Sequence, residues 1–275
     1  MKVSIHLSAK KWKEAEKFAD EGGIVVVPVA AFEQHGHHLP LDTDQRLVTY
    51  VAEKSCEKAQ DKNIPVLVTP TIWTGFSPHH MNFAGTITLK MKTFLSLIED
   101  VCNSLWSHGI RKILLLNGHG GNASLLRSSV QNLRFQYEIR AVTASYWDFA
   151  IPYIQSWRTS KIGGINHGCE METSLMLHLS EHLVDKDKCS NEVRMAFSEY
   201  LGVDLTKGGT VTASFDLKEL SNSGVVGDPS VATKESGEKL FEHITDKIAE
   251  FLEEFYTWDW NQIHNEEKGE FNHAE

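Results

Sequence analysis

Histidines and carboxylates gather at a few places in this chain of 275 residues. Seven of its 14 histidines fall in four short stretches, beside glycine, aspartate or glutamate; they are His35, His37, His38, His79, His80, His119 and His167. Imidazole nitrogens mixed with carboxylate oxygens suit Zn²⁺ or Mn²⁺, whereas Ca²⁺ and Mg²⁺ prefer oxygen ligands alone. We therefore predict a site for a divalent metal, Zn or Mn. If one carboxylate bridges two metal ions, both ions could share this site.

The first stretch carries Glu33 and His35 directly after a run of β-branched residues. Two residues apart on an extended segment point to the same side, so both side chains can approach one cation. Asp44 follows at the start of a predicted helix, where free N–H groups favour a carboxylate. Asp44 is therefore either a third ligand or a simple N-cap.

His119 lies in a glycine-rich turn between a predicted strand and a predicted helix. Such turns often bind phosphate through backbone N–H groups. The Lys and Ser/Thr of a nucleotide-binding P-loop are missing here, which makes nucleotide binding the weaker interpretation. The turn instead leaves the histidine free to face a metal.

The third cluster contains His167, Glu170 and Glu172. The ordinary pKa of histidine suits proton transfer near neutral pH, so His167 is the best candidate proton carrier. A hydrogen-bonded structural histidine is the alternative. The two glutamates are two apart at a helix start and cannot both face the same point. One can serve as a ligand while the other caps the helix or faces solvent.

Strand and helix patterns alternate along the chain and predict an α/β fold with a mostly parallel sheet and helices on both faces. The predicted strands span residues 24–29, 65–71, 113–116 and 139–145. Two predicted helices span residues 11–20 and 234–256, and a third includes residues 174–179. Three more helices are predicted to begin near residues 44, 90 and 123. Ligands bind at the carboxyl edge of such sheets, which places Glu33, His35 and His119 at one rim.

Composition narrows the class of protein. Hydrophobic residues make up 41% of the chain, enough for a single α/β/α domain over residues 1–258, with an acidic tail over 259–275. A net charge of −10 argues against a nucleic-acid partner. No apolar run is long enough to cross a membrane. The four scattered cysteines favour reduced thiols and a cytoplasmic location.

Several motifs together resemble the creatininase (creatinine amidohydrolase) family. They run in the family's order: Val27-Pro28-Val29, Glu33-Gln34-His35-Gly36, His38-Leu39-Pro40-Leu41 with Asp44, Gly75-Phe76-Ser77 with His80 and Gly85-Thr86, Asn117-Gly118-His119-Gly120-Gly121-Asn122, His167-Gly168 through Glu172-Thr173-Ser174, and Gly224-Val225 with Gly227-Asp228-Pro229. The resemblance covers about residues 20 to 240.

This resemblance implies a layered α/β subunit, assembled as a homohexamer, that holds one or two divalent metals. The implied ligands are Glu33, His35, Asp44 as a bridge, and His119. His167 would act as general acid/base, and the implied pocket residues are Ser77 and His80. Trp147 is a further substrate-binding candidate, because its ring could stack on a sugar-like ring or a planar amide. The family's usual reaction hydrolyses an amide C–N bond in a small cyclic or formylated molecule, with a metal-activated water attacking the carbonyl.

One departure from creatininase itself concerns a ligand. Creatininase has a glutamate ligand where this chain has Gly121. Glu172 is the natural candidate to supply that carboxylate, and Glu170 joins His167 as a catalytic candidate. The choice between the two glutamates as ligand stays open. The departure argues against creatinine and leaves another cyclic amide, lactam or formamide as the predicted substrate.

Two other functions use the same scaffold. One is hydrolytic opening of a carbon–carbon bond in an oxidised cyclitol of the keto-inositol type, because attack on a ring ketone needs the same activated water. The other is a metal-binding accessory protein that processes peptides and turns over no small amide. Both stay open because a fold identifies a site better than it identifies a substrate.

Overall fold

The structure is a computed structural model that describes residues 4–193 and 198–260. The predicted acidic tail lies outside the described residues from position 261 onward, so it stays a prediction. In the part that is described, no helix is long and apolar enough to cross a membrane.

Four parallel strands form the central sheet in the order β2-β1-β3-β4. They are β1 (Ile24–Val29), β2 (Val66–Val68), β3 (Lys112–Asn117) and β4 (Val142–Ser145). Parallel neighbours require long crossover connections, which helices provide here. The predicted α/β fold with a parallel sheet is confirmed.

Eight α-helices accompany the sheet among the described residues. They are α1 (Trp12–Asp20), α2 (Thr43–Asp61), α3 (Met91–Ser107), α4 (Ala123–Tyr137), α5 (Ile151–Trp157), α6 (Glu170–Ser180), α7 (Leu217–Leu220) and α8 (Lys234–Thr257). All six helices predicted from sequence are present.

Two predicted strands are shorter than expected. The strand predicted over 65–71 pairs only as Val66–Val68, and the prolines at its two ends, Pro65 and Pro70, have no N–H to donate. The strand predicted from Ile139 begins at Val142. Ile139 donates its N–H to the Leu133 carbonyl and is therefore part of the turn that caps the end of α4.

Side chains of the central strands alternate between two hydrophobic cores. Ile24 and Val26 of β1 pack in one core with residues of α2, α6 and α8. Val25 and Val27 pack in the other core, against α3 and α4. Each such fully buried side chain contributes about 1.5–3 kcal/mol. The sheet is thus the middle of three layers, and its central strands are rigid supports for the loops that follow them.

Strands β1 and β3 end side by side, because Val29 is in register with Asn117. The segment with Glu33 and His35 leaves β1 at this edge, and the turn with His119 leaves β3 there. The Gly118 N–H donates to the Val29 carbonyl at 2.8 Å, which ties the two segments together. The adjacent carboxyl ends therefore bring the first and second histidine motifs together, at the rim that the sequence predicted.

Candidate metal centre

Asp44 lies between two histidines in the first turn of α2. Its Oδ1 is 3.1 Å from His35 Nε2, and its Oδ2 is 3.3 Å from His119 Nδ1. The carboxylate is 2% exposed, so solvent does not satisfy it. Asp44 accordingly belongs to two donor groups: with Glu33 and His119 on one side, and with His35 and Glu172 on the other.

Glu33 is fully buried, and three imidazoles surround its Oε1. The nearest nitrogens are His119 Nδ1 at 3.1 Å, His80 Nε2 at 3.3 Å and His167 Nδ1 at 3.7 Å. Neither Glu33 oxygen has a hydrogen-bond partner of acceptable geometry among the described residues, and the same holds for Asp44 Oδ2. A buried carboxylate without donors is costly, and a cation would satisfy it.

Backbone carbonyls fix the ring orientation of both candidate histidine ligands. His35 Nδ1 lies 3.1 Å from the Glu33 carbonyl oxygen, and His119 Nε2 lies 3.2 Å from that of Phe76. A carbonyl only accepts, so these two nitrogens carry the protons. The other nitrogen of each ring then faces the carboxylates, an arrangement usual for metal-bound histidine.

The two glutamates of α6 have different surroundings. Glu172 Oε1 lies 3.8 Å from His35 Nε2, inside the cluster. Glu170 points elsewhere: its two oxygens accept the N–H groups of Thr159 at 2.7 Å and Ser160 at 2.9 Å. Glu170 therefore anchors the chain after α5, and its position gives no support to the predicted catalytic role.

Charges in the cluster stabilise one another. Burial alone would lower the pKa of His35, but the carboxylates of Asp44, Glu172 and Glu33 raise it to about 10. Burial opposes the protonated form of His119 too, yet Glu33 and Asp44 hold the pKa of its ring well above the ordinary value. Burial would raise the pKa of Asp44, and the two imidazolium rings instead hold it well below its usual range.

Glu172 is the exception among these carboxyl groups. Burial is the largest influence on it and raises its pKa to about 7, because the charge of His35 only partly offsets desolvation. Without a metal, the positive charge of the imidazole rings does not fully compensate the negative charge of the buried carboxylates.

His167 is held by Gln34 from the neighbouring loop. Its Nε2 lies 2.6 Å from the Gln34 carbonyl oxygen and donates to it, so Nδ1 keeps a free lone pair toward the cluster. Burial lowers the pKa of His167 to about 3, which keeps the ring neutral. The same ring forms a third donor group with Glu33 and His35.

The predicted pocket residues fall into two groups. His80 and Trp147 line a cavity of about 730 Å³ that opens beside the cluster. Ser77 is fully buried, and its hydroxyl lies 3.3 Å from His119 Nε2, so it contacts a candidate ligand and does not line the cavity.

Sequence reasoning gave no role to Gln34, although its side chain orients the site. Its Nε2 donates to the Gly224 carbonyl at 3.0 Å and to His80 Nδ1 at 3.1 Å, while its Oε1 accepts the Gly36 N–H at 2.8 Å. His80 Nε2 then lies 3.3 Å from Glu33 Oε1, in an alignment too poor for a hydrogen bond. In the sequence, only the position of Gln34 between Glu33 and His35 indicated that its side chain could contribute to the site.

His79 and Gly121 were also left without a role. His79 lines the cavity, and its ring stacks on His119 at a centroid distance of 5.7 Å. At Gly121 a Cβ would come within 2.4 Å of both His119 Nε2 and the Phe76 carbonyl oxygen. A glycine is thus required for the hydrogen bond between His119 and Phe76.

The donor set fits a divalent metal. It combines two histidines and three carboxylates, all buried, with orphaned oxygens on Glu33 and Asp44. Mixed nitrogen and oxygen donors of this kind are those of Zn²⁺ and Mn²⁺ sites.

Comparison with known proteins agrees with this geometry. The family model described as creatinine amidohydrolase matches residues 8–252. The creatinine amidohydrolase of Pseudomonas putida is 29% identical over 270 residues, covering 92% of this chain and 98% of the relative. The mycofactocin precursor peptide peptidase of Mycobacterium tuberculosis (strain CDC 1551 / Oshkosh) is 31% identical over 229 residues, covering 81% of each chain.

A solved creatininase structure, described as the Mn form, superposes with a TM-score of 0.77 at 28% identity. The match covers 93% of this chain and 100% of that one. The shared fold, the motifs at the strand ends and the match over nearly the whole chain lead to one conclusion: this protein belongs to the creatininase family of metal-dependent hydrolases.

Proposed function

We propose that the protein hydrolyses an amide C–N bond at a centre of one or two Zn or Mn ions. The proposed ligands are Glu33, His35, Asp44, His119 and Glu172. The observation that carries the proposal is the position of Asp44, whose two oxygens face His35 and His119 separately. One carboxylate shared by two donor groups is the arrangement that a two-metal site needs.

A divalent metal bound there supplies Lewis acidity, which lowers the pKa of water and polarises a carbonyl. The residues of this chain do the rest. The carbonyls of Glu33 and Phe76 keep His35 and His119 in the ligating tautomer. Gln34 holds the ring of His80 with its Nε2 3.3 Å from Glu33 Oε1, so we regard His80 as a residue that positions that carboxylate.

His167 is the proposed proton carrier. Its Nε2–H is engaged by the Gln34 carbonyl, so Nδ1 is the atom that accepts the proton of the attacking water and returns it to the leaving nitrogen. A neutral ring is required for the first step, and burial keeps His167 neutral. The free lone pair and the location beside Glu33 support this role.

The proposed substrate is a cyclic amide, lactam or formamide other than creatinine, since Gly121 stands where creatininase itself has a ligand. A second candidate is the amide bond of a peptide. It is favoured by the 31% identity to a peptide peptidase and by a cavity of about 730 Å³, which exceeds the need of a single small ring.

We also propose a homohexamer in the cytoplasm. The hexamer rests on the family resemblance, and it agrees with several large apolar side chains that are exposed in the single subunit, such as Trp12 at 70% and Phe135 at 79%. Subunit interfaces commonly cover such residues.

A substrate panel tests the proposed reaction. Protein reconstituted with Zn or Mn is incubated with lactams, formamides, short peptides and a keto-cyclitol, and products are followed by mass spectrometry. Release of an amine from an amide, lost after chelation and restored by metal, is the expected result. Turnover of the keto-cyclitol alone, or no turnover by fully loaded protein, would reject amide hydrolysis.

A further inference from the structure

Much of the cavity lining is apolar, although Thr212 and Ser214 also belong to it. Its wall beyond the proposed ligands is built from α3, from α7 and from the segment that precedes α7, which contribute Met91, Leu201, Val203, Leu205, Val211, Phe215, Leu217 and Leu220. Met91 is 49% exposed and Val211 is 51% exposed, so apolar surface faces solvent at the cavity rim. A substrate group that covers this surface would gain hydrophobic free energy.

The described cavity lining contains neither lysine nor arginine. Lys90 and Lys92 flank the lining residue Met91 without lining the cavity themselves, and Lys218 lies between two lining residues of α7. Its ammonium lies 4.9 Å from the centre of the Phe83 ring and donates to the Asn222 carbonyl at 2.9 Å, so it is engaged elsewhere. Apart from its histidines, the ionisable groups that line the cavity are the acidic Asp44 and Glu172.

From this lining we propose that the site selects an uncharged amide carrying an apolar substituent, and discriminates against amides that carry a phosphate or carboxylate. The inference rests on the proposed amide hydrolysis and adds the substrate class. The scissile amide lies at the cluster, while the apolar substituent contacts the rim at Met91 and Val211. An anionic substituent there would lose water without meeting a lysine or arginine in the described lining.

Binding of three hydroxamic acids tests this class without requiring turnover. Acetohydroxamic acid, 3-phenylpropanohydroxamic acid and succinic monohydroxamic acid share a metal-binding head and differ only in the remainder. Each is titrated by calorimetry into full-length protein loaded with Zn or Mn. We expect the phenyl compound to bind at least about tenfold more tightly than acetohydroxamic acid. The carboxylate compound should bind no better than acetohydroxamic acid.

A charge introduced at the rim provides a matched pair of variants. Val211→Lys adds a cation at an exposed lining position, so folding is preserved. It should weaken binding of the phenyl compound and strengthen that of the carboxylate compound by about tenfold. Asn103→Lys, at an exposed polar position on α3 outside the cavity lining, should change neither.

The outcomes separate this inference from the proposed function. Tight binding of the carboxylate compound, or equal binding of all three compounds, overturns the substrate class and leaves the metal centre standing. Protein that cannot be loaded with Zn or Mn overturns the proposed metal centre, and absence of binding of all three compounds to loaded protein overturns the proposed hydrolysis; either result removes the inference as well. The predicted order of affinity, reversed only by the lysine at position 211, supports both.

Discussion

Metal binding should release protons, because the metal-free cluster stores them. The carboxylates raise the pKa of His35 to about 10 and hold that of His119 well above its ordinary value, so both rings are protonated at neutral pH. A metal needs each ring neutral at its ligating nitrogen. Occupation of both donor groups therefore expels about two protons at pH 8.

The pH dependence of metal affinity follows from the number of protons that are expelled. Each proton expelled raises metal affinity about tenfold per pH unit, so two protons give about 100-fold between pH 7 and pH 8. Below pH 7, Glu172 also holds a proton, since its pKa is about 7, and the count rises toward about three at pH 6. Affinity increases with pH until the pH reaches the pKa of His35 near 10, where the dependence flattens.

Calorimetry in buffers of different ionisation enthalpy measures the proton count directly. Zn or Mn is titrated into chelator-treated protein at pH 6 and pH 8, and the apparent enthalpy is plotted against the buffer enthalpy. A His6→Gln variant is the control, because His6 is half-exposed and outside the cluster. A count near zero at pH 8 would show both rings neutral before metal arrives and would refute the reasoning.

Three further predictions concern single side chains. Glu172→Gln should reduce bound metal to about half, because one of the two donor groups loses a ligand. Glu170→Gln should retain its metal and lose about 1–3 kcal/mol of unfolding free energy. Equal metal loss in the two variants, measured by elemental analysis, would contradict this assignment. His167→Ala should keep its metal and lose about 10²–10⁴ in kcat, and metal loss would identify His167 as a ligand instead. Gly121→Ala should weaken metal binding about 10- to 100-fold by pushing His119 off the Phe76 carbonyl, and unchanged affinity would show that the turn adapts.

Local patterns were sufficient to predict β1 and the rim of the sheet where the motifs meet. The β-branched run from Ile24 to Val29 gave the bounds of β1 as observed, because a strand buried on both faces needs continuous apolar residues. The polar motifs after β1 and β3 then had to lie at one edge, since the strands are parallel neighbours. Chain order thus predicted which motifs meet.

Long-range contacts could not be predicted in this way. Sequence spacing showed that only one of Glu170 and Glu172 could face the cluster, but the choice depends on backbone N–H groups at Thr159 and Ser160, which capture Glu170. The role of Gln34 likewise depends on Gly224, 190 residues away. No periodic pattern signals such contacts.

The apolar rim of the cavity was missed for a similar reason. The segment that contributes Leu201 and Val211 has no helical or strand periodicity. Its apolar residues line a wall only because the fold brings the segment beside the turn after β3, which lines the same cavity.

The metal content of purified protein tests the central claim most directly. Wild type, Asp44→Asn and the matched control Asp42→Asn are purified without chelator or affinity tag, and metal per subunit is measured by mass spectrometry. Asp42 pairs with Arg46 outside the cluster, so its loss should spare the site. We expect one to two equivalents of Zn or Mn in wild type and control, and little in Asp44→Asn. A wild type that holds no metal and resists reconstitution, or an Asp44→Asn variant that is fully loaded, would contradict the account.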